Sequence, residues 1–129
     1  MPATDPYTLE FRSLGNELHV AMRGNERNVD KVVACWMQIA SEVRKRNATR
    51  VLAVSHIVGE PLPAQGISRF MDHLRGLGLE DVRIAYVDIR GFKTPLMETA
   101  EILASEHGFS VRIFDDPIAA EMWLRHGGT

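Results

Sequence analysis

The sequence predicts an α/β domain: an N-terminal β-hairpin, then three βα units, on a mixed central sheet whose later strands are mostly parallel. Three observations carry this. Hydrophobic periodicity changes from two-residue alternation to three- and four-residue spacing after the first two dozen residues. Later apolar runs are short, continuous and branched, as in strands covered on both faces. Each of those runs is followed by a helical stripe, and strands separated by helices run parallel.

The elements follow in order. Leu9 and Phe11 alternate with Glu10 and Arg12, and Leu18, Val20 and Met22 alternate with His19, Ala21 and Arg23. Gly15-Asn16 between them is a turn, so the pair forms a hairpin. Val29, Val32, Val33, Trp36, Met37, Ala40 and Val43 then lay one apolar stripe along a helix, with Asn28 as its cap and Asn47 as its stop. Val51 to Val54 form a buried strand, and Ile67, Phe70, Met71 and Leu74 a second helical stripe ended by Gly76 and Gly78. Ile84, Ala85, Tyr86, Val87 and Ile89 make the next strand. Thr94-Pro95 opens a third helix that Gly108 closes. Val111, Ile113 and Phe114 form the last strand, and Asp116-Pro117 opens a final helix carrying Ala119, Met122 and Trp123. Without a repeat or a linker, residues 1–129 read as one domain.

Composition narrows the function classes. The 129 residues are 45% apolar and 25% charged, with 15 Lys+Arg against 17 Asp+Glu for a net charge of −2. That balance argues against nucleic-acid binding by bulk charge. The cations Arg44, Lys45, Arg46 and Arg50 read as a solvated helix end. The longest apolar run, Val32 to Met37, is too short to span a membrane, and the first residues lack the basic and apolar parts of a signal peptide. With the single cysteine, Cys35, the expectation is a cytoplasmic protein without disulfides.

Ligands of open α/β sheets sit beyond the C-terminal ends of the parallel strands. Two segments leave that edge with mixed content, His56 to Gly66 and Asp88 to Thr94. They nominate His56, Val58, Glu60, Leu62, Asp88, Arg90, Phe92 and Lys93 as a rim for a small ligand or a partner. Methionines such as Met71 and Met97 could repack around an apolar guest, although plain core filling is the commoner use. A hydrolase-like pairing of His56 with Asp88 is the alternative. Against it, Ser55 and His56 are neighbours in a strand and point to opposite faces, and the sequence has no nucleophile elbow. The five histidines are scattered without paired cysteines, so no metal is expected; no phosphate-binding glycine motif is present, and no cofactor is expected.

The element order, together with Arg50 to Val54, Arg83 to Val87 and Val111 to Pro117 through Ala119 to Leu124, resembles a STAS-type domain. That is the fold of bacterial anti-sigma-factor antagonists and of sulfate-transporter tails, and the chain looks most like a compact branch related to the lipid-binding CRAL-TRIO fold. The resemblance implies a non-enzymatic regulatory or binding role. The partner would be a protein or a small hydrophobic, lipid-like or anionic ligand. Apart from the resemblance, a hairpin strand or the helix stripe pairing across a two-fold axis makes a homodimer an option. Family antagonists carry a phosphorylated serine after the third strand. Here that place holds Gly59-Glu60-Pro61-Leu62-Pro63-Ala64, so no phosphorylation site is expected.

Overall fold

A computed structural model describes residues 7–59, 62–89 and 95–126. The order is β1 (Thr8–Leu14), β2 (Glu17–Gly24), α1 (Val29–Arg46), β3 (Arg50–Ile57), α2 (Ala64–Leu74), β4 (Arg83–Asp88), α3 (Pro95–Glu106), β5 (Ser110–Phe114) and α4 (Pro117–His126). The five strands lie side by side in sequence order. β1 and β2 are antiparallel, and every later pairing is parallel, with Ser55 opposite Asp88 and Arg23 opposite His56.

Local chemistry sets the boundaries. Asn28 caps α1 by accepting a hydrogen bond from the Lys31 N–H, and Asn47 ends it in the left-handed region at φ 54. Proline is the first residue of both α3 and α4, where its missing N–H costs nothing. Asp116 also accepts from the Ile118 N–H at 3.1 Å. β4 is one step shorter than its apolar pattern suggests: it ends at Asp88, and Ile89 is exposed. Met37 and Met122, read as stripe positions, also face solvent, because the helix stripes here are narrower than the apolar residues available.

Strand alternation sorts the core into two layers. Leu18, Val20, Met22, Val51, Ala53, Ile57 and Ile84 pack on one face against Trp36, Ile39, Val43, Met71, Leu74 and Ala104 of α1, α2 and α3. On the other face Leu52, Ala85 and Val87 pack against Ala120 and Leu124 of α4. There Phe114 meets Trp123 at 5.8 Å between ring centroids, and the Arg83 guanidinium lies 4.3 Å over the Trp123 ring. Arg83 Nε is buried without a hydrogen-bond partner, and the cation–π contact offsets part of that cost. The basic end of α1 is tied down by side chains: Arg46 reaches Glu42 and Ser13, Lys45 reaches Glu42, and Arg44 donates to the Leu77 carbonyl.

Candidate functional site

Between the sheet and helices α1, α2 and α3 lies a cavity of about 170 Å³. Its walls are largely apolar. Trp36, Phe70, Met71, Leu62 and Ile113 contribute, and Trp36 meets Phe70 edge-on and stacks on Tyr86, both at 6.4 Å.

Among the described residues, charge enters the cavity at one place. Arg27, on the connection from β2 to α1, donates from Nη2 to Asp88 Oδ2 at 3.2 Å, and both side chains are about nine-tenths buried. The same guanidinium donates to the Ile57 and Gly59 carbonyls at 3.2 and 3.3 Å. It therefore ties the ends of β3 and β4 to the start of α1. Gly59 sits at φ 119, and a Cβ there would lie 3.1 Å from the Arg27 backbone nitrogen. Only glycine lets the chain pass so close in that conformation. Tyr7 closes one side: its hydroxyl donates to the Glu26 carbonyl at 2.7 Å and accepts from the Asn28 N–H. Its ring lies against Gly24, where a Cβ would stand 2.4 Å from the ring. Tyr86 lines the cavity beside Ser55 and Arg27; burial pushes its phenol up, and these two neighbours only partly counter that.

Cys35 also lines the cavity, and burial pushes its thiol up to about 12. The thiol form dominates at neutral pH, so the residue acts as a small apolar wall. In native buffer at about pH 8 it is expected to react with a thiol reagent at least about a hundredfold more slowly than in urea. Equal rates in the two conditions would contradict its burial.

The residues nominated from the sequence divide among different places. Leu62 and Asp88 line the cavity, and Val58 is exposed at the end of β3. His56 does not join them. It lies on the opposite face of β3, in a shallow depression with Glu10, His19 and Val54, whereas Asp88 faces the cavity side. The strand's two-residue period separates them, and the hydrolase-like pair has no shared space. Glu60, Arg90, Phe92 and Lys93 lie outside the described residues, as does the side chain of Met97. Sequence reasoning missed Arg27, Tyr7, Trp36 and Tyr86. The available signal was the β2–α1 connection, a third loop leaving the same strand edge.

A second cluster was also missed. One ligand atom from each of Glu17, His19 and Glu121 lies within 4.8 Å of the others. Arg125 already bonds both carboxylates, at 3.4 and 3.2 Å, and His19 Nε2 lies 2.5 Å from Glu17 Oε2, so the group reads as a hydrogen-bonded tie between α4 and β2. Burial pushes the Glu17 carboxyl up, but the hydrogen bonds and charges of His19 and Arg125 outweigh it and hold it below its ordinary value of 4.5. A depressed carboxyl contributes stability above that ordinary value and loses it as pH falls through the lower folded one. Urea midpoints should therefore drop in wild type on acidification through this range, and Glu17→Gln should be less stable at neutral pH with a flatter acid limb. Parallel pH curves for the two proteins would contradict this.

No family model matches the chain, and no curated protein matches it. A solved structure does: an uncharacterized protein from the DUF3478 family of Shewanella loihica PV-4, described as having a SpoIIAA-like fold. The likeness covers 96% of this chain and 98% of that one, with a TM-score of 0.57 and 12% identity. The antiparallel β1–β2 pair, the parallel β2 to β5 and the four helices match that arrangement. Among the described residues no helix is long and apolar enough to cross a membrane. The protein has the SpoIIAA-like fold, the fold of the STAS domains and anti-sigma-factor antagonists.

Proposed function

We propose that this chain is a non-enzymatic binding module that takes a small, mostly apolar molecule with one polar head group into the cavity under α1, α2 and α3. The observation that carries this reading is the combination of an apolar wall with a buried ion pair, Arg27–Asp88, at the strand ends. An apolar pocket with a few convergent polar groups is the usual form of a small-molecule site. Its volume of about 170 Å³ suits a guest of one ring or a short chain; dry engineered cavities near 150 Å³ admit benzene. The guanidinium suits an anionic or accepting head group, and the carboxylate suits a donor. The imidazole of His56 lies across the sheet, so a His56–Asp88 pairing does not compete for the same space.

Native mass spectrometry of freshly purified protein tests the reading, with Ala100→Leu as the control. Ala100 lines the cavity, and the larger side chain fills space with little cost to stability. The expected result is a reproducible small adduct on wild type that the variant lacks. An adduct retained equally by the variant would overturn the assignment. So would apo mass alone in both, which would favour a second reading: docking of a protein partner at the exposed Val58 and Ile89, each 44% accessible at the same strand ends.

A further inference from the structure

The two edges of the sheet are finished differently. At β5 the Ile113 N–H donates to Glu101 Oε2 of α3 at 2.7 Å, so a side chain occupies part of that edge. β1 is the other edge strand. Its sequence, Thr8-Leu9-Glu10-Phe11-Arg12-Ser13-Leu14, has no proline, glycine or lysine, and it pairs with β2 over all seven residues without a bulge. Among the described residues no side chain bonds its outer backbone groups. Of the residues that usually blunt an exposed edge, β1 itself carries only the charged Glu10 and Arg12.

The hairpin geometry decides which groups that edge offers. A two-residue turn makes Leu14 and Glu17 a hydrogen-bonded pair. Alternation from there turns the backbone groups of Arg12, Glu10 and Thr8 towards β2 and those of Leu9, Phe11 and Ser13 outward. A second antiparallel β1 related by a two-fold axis must match outward residues with outward residues. Three central registers do so. One sets Glu10 against Glu10 of the other copy, and another sets Arg12 against Arg12. The third centres on Phe11, sets each Glu10 against the other copy's Arg12, and matches Thr8 with Leu14 and Leu9 with Ser13. It is also the register that uses the whole strand, forming about six backbone hydrogen bonds. Opposite charges directly across an antiparallel pair stabilise it, and like charges oppose it.

We infer that β1 is a self-complementary docking edge for a second copy of this chain, joining two five-stranded sheets into one continuous sheet about a two-fold axis at Phe11. The interface is isologous, as such axes require, and its small area places it among weak, reversible dimers. It is independent of the cavity: the guest enters under the helices, and the second copy adds at the sheet edge.

Sedimentation equilibrium of the full chain at submillimolar concentration tests this. Wild type should dimerise. Glu10→Arg and Arg12→Glu each place like charges across the axis twice and should weaken the dimer at least about tenfold. Both side chains are exposed, so thermal unfolding should show each variant folded. Mixing the two variants puts opposite charges across the axis again and should restore a dimer that neither forms alone. A monomeric wild type, a dimer indifferent to both reversals, or a mixture that stays monomeric would each overturn the inference.

Discussion

Arg27→Met should lower the unfolding free energy by about 3 kcal/mol or more, measured by urea denaturation at neutral pH. The change removes the guanidinium from a carboxylate that is only 8% exposed, and it also takes donors away from the Ile57 and Gly59 carbonyls. A buried carboxylate that loses its ion-pair cation pays more of the desolvation penalty that the pair otherwise offsets. Asp88→Asn should cost less, about 1–2 kcal/mol, because Arg27 keeps both carbonyl acceptors and the amide retains an oxygen to accept from it. Combining Arg27→Met with Asp88→Leu should cost less than the sum of the two single changes, since the pair is then removed together. Strict additivity would mean that the two side chains do not act as one unit.

Trp36→Ala should be as damaging, about 3–5 kcal/mol, with the thermal midpoint falling by more than about 10 °C. The indole is 6% exposed and joins α1 to Phe70 of α2 and Tyr86 of β4. Its loss removes contact on both sides and enlarges a cavity already present, so the surroundings have little left with which to collapse. The larger space should accept a larger guest. A two-ring aromatic alcohol should raise the midpoint of Trp36→Ala more than that of wild type, because binding to the native state alone stabilises it. Equal shifts would separate Trp36 from the binding cavity.

The fold was legible because it is written in local signals. The Asn28 cap, the Asn47 stop, the Gly15-Asn16 turn and the prolines opening α3 and α4 each act within a few residues. The site was legible only in part. Leu62 and Asp88 were reached through the rule about strand ends, but that rule groups residues by edge and does not say which face each one takes. His56 was drawn in by edge position and belongs to the other face. Arg27 was missed because its partner lies 61 positions away, and no periodicity marks a contact of that range. The exposure of Ile89 and Met122 has the same origin: an apolar side chain at a periodic position is buried only where a neighbouring element reaches it.

The claim that the space under the helices is a binding site is open to one direct measurement. The chain has two tryptophans, Trp36 on the cavity wall and Trp123 of α4 on the far face of the sheet. In a Trp123→Phe protein, emission therefore reports Trp36 alone. Titration with benzyl alcohol and with benzoate, one ring with a neutral or an anionic head group, should change that emission saturably for at least one of them. The response should vanish when Ala100→Leu is added to the same protein. A linear, unsaturable response to both probes, or a saturable one that Ala100→Leu leaves intact, would contradict the account.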